Sequence, residues 1–496
     1  MRYPIWPAAL LALALPLAGC AAETSEAGDP ASGSVPAPAR ASASDFDLSP
    51  EAVMAENADY TTVNADEWDP STAVDLPLAG SSSPVTISQA GVYRLHGSLT
   101  GQVRVEAGED ALVVLVLDGI DISSDAGAAI EVVSADDVAI HLAAGSSNTL
   151  SDAAPYPSDA DANAAIHAAS DLTISGDGEL TVNGNGNDGI TSTDDLVILG
   201  GKLAVIAADD ALRGKDSLVV EGGTLQLTAT AGDAMKSDGD DDEQGADWTR
   251  GYIYVRGGTI NATAGDDGLQ AFTDTVIASG AVTVAVADDA IKGEAVVSIG
   301  AVDGLDAPSV TVTDCEEGLE AANIGISAGV IDITANDDGI NASGNGELQA
   351  RIAGTEYVEQ HEFADTGERL EITGGTVSIV AGFDGLDSNG TLTITGGQVD
   401  ITAVERGGDG PVDANGSINV ADGIVTANGS AWDAASAAMP GGPGGMGGSA
   451  RGRHAPASRW HGRWPRECAD RHAGAARGDP QVTSVDGCSA VQSQQN

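Results

Sequence analysis

Asp209-Asp210-Ala211-Leu212-Arg213, Asp233-Ala234-Met235-Lys236, Asp266-Asp267-Gly268-Leu269-Gln270 and Asp288-Asp289-Ala290-Ile291-Lys292 are four readings of one phrase. It runs acid, Gly or Ala, a large aliphatic residue, then a polar one. Outward from these four, the phrase stands upstream as Asp188-Gly189-Ile190 and downstream as Glu316-Glu317-Gly318-Leu319-Glu320, Asp337-Asp338-Gly339-Ile340-Asn341 and Asp384-Gly385-Leu386-Asp387. The acid before Gly or Ala recurs at intervals of 22, 23, 34, 22, 28, 21 and 46 residues. The basic period is about 22, lengthened by insertions. Repeats of this length mark units that bury their apolar faces only by stacking on one another.

Between the phrases lie short apolar runs broken by Gly. Leu218-Val219-Val220-Glu221-Gly222-Gly223-Thr224-Leu225-Gln226-Leu227 and Leu392-Thr393-Ile394-Thr395-Gly396-Gly397-Gln398-Val399-Asp400-Ile401 both read strand, turn, strand. With the strand behind each acidic phrase, one unit holds about three short strands. Period-two alternation puts the aliphatic set inside and Thr, Asp and Gln outside. No stretch shows the 3.6-residue period of an amphipathic helix. The expectation is an all-β parallel β-helix, a solenoid of about 22-residue coils, spanning 60–430, with insertions at 237–250, 300–308 and 341–369 that leave it close to the acidic phrase.

Composition agrees with narrow stacked strands. The chain of 496 residues is 42% hydrophobic but only 3% aromatic, and carries 65 Gly. Its formal net charge of −54 argues against nucleic acid as a partner and calls for cations. Residues 1–20 have the layout of a secretory signal, and Leu17-Ala18-Gly19-Cys20 resembles a lipobox, which makes Cys20 the expected lipidated residue and anchors the chain to the outer face of the cell membrane. Residues 21–59 read as a flexible Ala/Ser/Pro linker. A Gly/Pro linker at 431–450 precedes an Arg-rich tail, 451–496, which reads either as a solvated basic tail or as a frame-shifted stretch of a GC-rich gene. The four Cys imply no disulfide framework.

Stacking turns the phrase into chemistry. Strands in a sheet lie about 4.8 Å apart, so equivalent acids form a column. Two unit charges about 5 Å apart repel by roughly 3 kcal/mol at an effective dielectric of 20. Such a column requires cations. Calcium suits it, because it takes six to eight oxygen ligands in flexible geometry. The expected ligands are Asp209, Asp210, Asp233, Asp266, Asp267, Asp288, Asp289, Asp337 and Asp338. Zinc is disfavoured by the scarcity of His and the lack of Cys-x-x-Cys.

A second column follows three residues after the acid: Arg213, Lys236, Gln270, Lys292, Glu320, Asn341 and Asp387. Arg213, Lys236 and Lys292 either pair with neighbouring carboxylates or contact an acidic polysaccharide beside bridging calcium. Trp248 and Tyr252, next to the acidic insertion, are candidate sugar-stacking aromatics; Tyr357 and Phe363 lie in the longest insertion. No nucleophile elbow or phosphate-binding Gly loop stands out.

Gly91-Val92-Tyr93-Arg94-Leu95-His96-Gly97, Val114-Leu115-Val116-Leu117-Asp118-Gly119-Ile120, Asn163-Ala164-Ala165-Ile166-His167 and Asp209-Asp210-Ala211-Leu212-Arg213-Gly214-Lys215-Asp216 together resemble the clostridial-type bacterial carbohydrate-binding domain family. The resemblance covers roughly 61–429. It implies an exported right-handed parallel β-helix with bound calcium that binds cellulose and acidic sugars, akin to family 9 polysaccharide lyases. Glu316-Glu317 departs from its acid pattern. Three functions remain open on the sequence: a calcium-dependent surface module binding acidic or cellulosic glycans; a pectate-type lyase in which Lys236, Lys292 or Arg213 removes a proton; and a structural or adhesive spacer.

Overall fold

The computed structural model describes residues 45–432 apart from 81–83, 158–159, 240–246, 359, 362 and 406–408. The expected signal segment with Cys20, the linker up to residue 44 and the tail from 433 lie outside the described residues.

The chain from Val74 onward is mostly strand; burial follows the period-two pattern where one face meets solvent, while strands covered on both faces, such as Asp195–Ile198 and Ser217–Val220, are buried throughout. In Thr224–Ala229, Leu225, Leu227 and Ala229 are buried while Thr224 and Gln226 are exposed. These inward aliphatics fuse into one core running the length of the body, from Leu78 to Trp432. Among the described residues the strands form two sheets, of 24 and 12 strands. Pairing is parallel apart from Val425–Ala427 with Ser430–Ala431.

Ten strands of the larger sheet close on themselves. One ladder runs from Leu112–Ser123 through Asp137–Leu142, Asp171–Gly176, Asp195–Ile198 and Ser217–Val220 to Tyr252–Ala264. The other returns from Tyr252–Ala264 through Thr224–Ala229, Lys202–Ala207, Glu179–Gly184 and Ser147–Ser151 to Leu112–Ser123. The expected open right-handed β-helix solenoid, with three separate short strands in every coil, is corrected by this closure: by its hydrogen-bond connectivity the sheet is a ten-strand parallel β-barrel. The reason is local. Strands Leu112–Ser123 and Tyr252–Ala264, of 12 and 13 residues, each pass a corner where the sequence predicts a break. Gly119 (φ 79°) and Gly258 (φ 85°) turn the backbone there in a region that side chains avoid. The chain bends with a shift of register and keeps its ladder bonds, so one strand serves both ladders.

The linker expectation for 21–59 is also corrected over its described part. Residues 46–72 form a strap along the outside of one ladder. Leu48 and Val53, the latter in the helix Pro50–Met54, are buried against outward-facing Val197, Val219, Val276 and Val296. Its backbone is tied down at intervals: the Phe46 carbonyl accepts from Arg369, the Leu48 carbonyl from Ser298 Oγ, Thr61 N–H donates to Asp195 and Val63 N–H to Thr173 Oγ1. At the other end Trp432 is buried in the core, two residues past the expected boundary at 430.

Candidate functional site: a column of carboxylates on the smaller sheet

Seven of the eight acidic phrases lead into a three-residue strand of the 12-stranded sheet, such as Leu212–Gly214, Met235–Ser237, Leu269–Ala271 and Ile291–Gly293, and the first lies within the five-residue strand Asp188–Ser192. In these strands the aliphatic residue points into the core, the polar one stands half-buried outside, and a small third residue is buried again. The small residue before the aliphatic one is a matter of space. A Cβ on Gly268 would lie 2.3 Å from the carbonyl oxygen of Ala290. Register pairs Arg213 with Lys236, Lys236 with Gln270, Gln270 with Lys292, Lys292 with Glu320, Glu320 with Asn341 and Asn341 with Asp387. The second column is therefore continuous. It also extends upward through Thr191 and His167 to Glu131 and Arg104. The phrase Asn163-Ala164-Ala165-Ile166-His167 carried that signal in the sequence.

The paired acids take different positions. The second acid is buried in four of the pairs, at Asp210, Asp267, Asp289 and Glu317, as is the single acid Asp233; Asp338 is half-buried like Asp337, Asp209 and Asp266 are half-buried, and Asp288 and Glu316 exposed. One oxygen of the second or single acid is committed to the backbone. Asp210 Oδ1 accepts from Asp233 N–H at 2.8 Å, Asp233 Oδ1 from Asp267 N–H at 2.9 Å, Asp267 Oδ1 from Asp289 N–H at 2.9 Å and Asp338 Oδ1 from Asp384 N–H at 2.8 Å. The carboxylate thus holds the next unit in register while its second oxygen looks outward.

At two levels that second oxygen meets a lysine: Lys236 Nζ lies 2.6 Å from Asp233 Oδ2, and Lys292 Nζ 2.5 Å from Asp289 Oδ2 and in contact with Glu320. Arg213 Nε donates to Asp238 at 2.6 Å, and Nη1 of the same side chain lies 3.6 Å from the buried Asp188. Burial lowers the affinity of these bases for the proton, but the surrounding carboxylates more than offset it, so Arg213, Lys236 and Lys292 are all held above their ordinary values. Against burial, Lys292 holds Glu320 below its usual value. Four carboxyls move the other way, chiefly through burial: Asp210 is pushed up to about 7, Asp267 to about 8, and Asp289 and Glu317 well above the ordinary range.

Between and beyond the lysines, carboxylates converge on one another. Oxygens of Asp233, Asp266 and Asp267, of Asp267, Asp288 and Asp289, of Asp289, Glu317 and Glu320, and of Asp338, Asp384 and Asp387 lie within 4.8 Å of each other in each group. An all-oxygen carboxylate set is the donor chemistry of calcium rather than of a soft metal. Two groups meet at Asp267, on the level where the second column carries the neutral Gln270. Beside the last group, Asn341 Oδ1 is buried without a hydrogen-bond partner. Asp384 and Asp387, pushed up by burial to about 8 and about 7, were legible as a phrase but not picked out as ligands. Glu316-Glu317 departs from the Asp pattern and was not picked out for that reason, while Glu320 was read only as a member of the second column. Asp209 lies outside these groups, as do Asp210, which Lys236 approaches at 4.0 Å, and Asp337. A further group, Asp171, Asp194 and Asp195, lies under the strap, away from the column.

Trp248 and Tyr252 are corrected as sugar platforms. They are 4% and 1% exposed. Trp248 stacks on Phe272 with Arg351 over both rings, and Tyr252 donates to the Ala58 carbonyl of the strap at 2.9 Å. Tyr357 and Phe363 are the exposed aromatics of the 341–369 insertion, at 41% and 54%.

A family model described as carbohydrate-binding domain-containing protein matches residues 81–364. A protein of Acetivibrio thermocellus with the same description is 34% identical over 246 residues, which is 49% of this chain and 82% of that protein. Among solved structures, a gadolinium derivative of the polysaccharide lyase-like protein from C. thermocellum is 31% identical, covers 51% of this chain and 96% of that one, and superposes with a TM-score of 0.41.

Proposed function

Since the chain belongs to the family of carbohydrate-binding domain-containing proteins, we propose that it is an exported polysaccharide-binding module whose carboxylate column is held together by calcium. The observation that carries this reading is the distribution of charge along the column. Lys236 pairs with Asp233 and Lys292 with Asp289, at the outer ends of the two groups that meet at Asp267; Asp266, Asp267 and Asp288 between them stand at or beside the level of the neutral Gln270, and the group Asp338, Asp384 and Asp387 has Asn341 and Asp387 rather than a base in the second column. Calcium belongs at those levels, held by Asp233, Asp266, Asp267, Asp288 and Asp289 and by Asp338, Asp384 and Asp387. Bound there, it would neutralise the column and supply the positive charge that uronate carboxylates seek, so acidic glycans are the ligands this edge suits. Cys20 provides the lipid anchor at the outer face of the membrane.

The same geometry weighs against lyase chemistry. A base must lose its proton to take one from the substrate, and carboxylates hold Arg213, Lys236 and Lys292 protonated. Retention on polygalacturonate, with and without EDTA, and absorbance in the unsaturated-uronate band test the reading. Expected are calcium-dependent retention, a fall in Tm on chelation and no absorbance growth. An unmoved Tm in EDTA overturns the calcium column, and failure to retain any glycan favours a structural spacer.

A further inference from the structure

In one carboxylate group of the column a side chain already stands where an ion would. The oxygens of Asp289, Glu317 and Glu320 lie within 4.8 Å of one another. Lys292 Nζ bridges two of these acids, 2.5 Å from Asp289 Oδ2 and in contact with Glu320 Oε2. Local sequence puts it there. Asp289 lies three residues before Lys292 in the same phrase, and register sets Glu320 directly opposite on the neighbouring strand. The remaining oxygens are served by the level beyond: Asn341 Nδ2 donates to both oxygens of Glu317, at 3.1 Å and 3.0 Å, and Ser343 Oγ to Glu320 Oε1 at 2.9 Å. Lys236 is placed differently. Its register partner is the neutral Gln270, and beyond Asp233 the carboxylate it approaches is Asp210, at 4.0 Å and outside the groups, so it bridges no two members of one group among the described residues.

A cation shared by carboxylate oxygens of successive levels is what calcium makes in such a column. Here the chain supplies it. An ammonium and a metal ion cannot occupy one position between the same oxygens, because they repel and exclude each other. The tethered charge also arrives with folding and is independent of calcium concentration, whereas a bound ion contributes only in proportion to its supply. We propose that Lys292 is a built-in counter-ion filling a latent calcium site formed by Asp289, Glu317 and Glu320. It thereby sets how many calcium ions the column takes and at which level the run of ions is interrupted. The inference rests on the reading of the column as calcium-binding and adds which level is closed to the metal and which residue closes it.

The test uses the full chain carrying Lys292→Met, which keeps an apolar stem and removes the ammonium. Calcium bound per chain is counted by equilibrium dialysis with metal analysis, and Tm is followed in EDTA and in calcium. Lys202→Met, which removes an exposed lysine paired with Glu179, controls for the change in net charge. Lys292→Met should bind about one calcium ion more per chain than the parent, melt lower in EDTA and gain more in Tm when calcium is added, while Lys202→Met follows the parent. A Lys292→Met chain with the parent's calcium count overturns the proposal, and so does one that stays unfolded in calcium as in EDTA. Glu320→Gln, which retains Lys292, approaches the same point from the other side. It should bind as many ions as the parent; loss of an ion would show that this level already holds calcium and overturn the proposal. If the parent binds no calcium, the calcium column of the proposed function fails; if it binds calcium and Lys292→Met gains none, this inference alone fails.

Discussion

Asp267 is the residue on which the column turns. Its Oδ1 accepts the Asp289 N–H, and the carboxylate belongs to two adjoining groups. Its carboxyl is raised to about 8, so relative to an ordinary carboxyl it favours the fold at low pH and costs stability as pH rises through that value. Asp267→Asn keeps an oxygen for the backbone and removes the charge. In EDTA at pH 8 the variant should melt no lower than the parent, while its rise in Tm on adding calcium should be the smaller of the two. A full calcium response in the variant would show that the ion sits elsewhere. Asp267→Ala, which also deletes the acceptor, should cost about 1–3 kcal/mol by denaturant unfolding. That an acid stands here was legible in the sequence. Which acid of each pair faces inward was not, because both follow the same turn and only the hydrogen bond from the next unit distinguishes them.

On the scale of the element, the column acts as one titrating body. Asp210, Asp267, Asp384 and Asp387 are raised to between about 7 and about 8, mainly by burial. Raised carboxyls stabilise the fold below their ordinary value and lose that contribution as pH climbs through the folded one. In EDTA, Tm should therefore fall between about pH 5 and about pH 8. In millimolar calcium the fall should flatten or reverse, since binding an ion requires the ionised form. Melting curves across that range in both conditions decide it, and parallel curves would argue against a metal. The order of Arg213, Lys236, Gln270 and Lys292 along this element was readable in advance, because a period of two and a repeated phrase leave a three-residue strand little choice of register. The internal role of the two lysines was one of two readings, and only distances of 2.6 Å and 2.5 Å to carboxylates decided between them.

For the molecule as a whole, the net charge is −54. Screening should matter. In EDTA, raising sodium chloride from low ionic strength to about 0.5 M, where the Debye length falls to a few ångströms, should raise Tm. Calcium at millimolar concentration should achieve more, because it acts at the column rather than through the ionic atmosphere. Equal effects of the two salts at equal ionic strength would reduce calcium to a screening ion.

The sequence by itself determined the all-β class, the parallel stacking of units, the inward aliphatic set and the two columns, since each follows from local alternation and a repeat that stacking must bring into line. Tertiary structure alone decided the rest. The strap reaches from Phe46 to Arg369, 323 residues away, and no local pattern announces that Trp248 and Tyr252 lie beneath it or beside it rather than open to solvent. The closure of ten strands depends on whether a Gly corner breaks a strand or bends it, and at Gly119 and Gly258 the ladder bonds on both sides carry the strand through. The convergence of Asp338, Asp384 and Asp387 bridges a 46-residue interval, which only the looping-out of the insertion brings to one level. The acidic phrase was visible from the start; what surrounds each carboxylate, and hence which levels need an added cation, is a property of the packed fold.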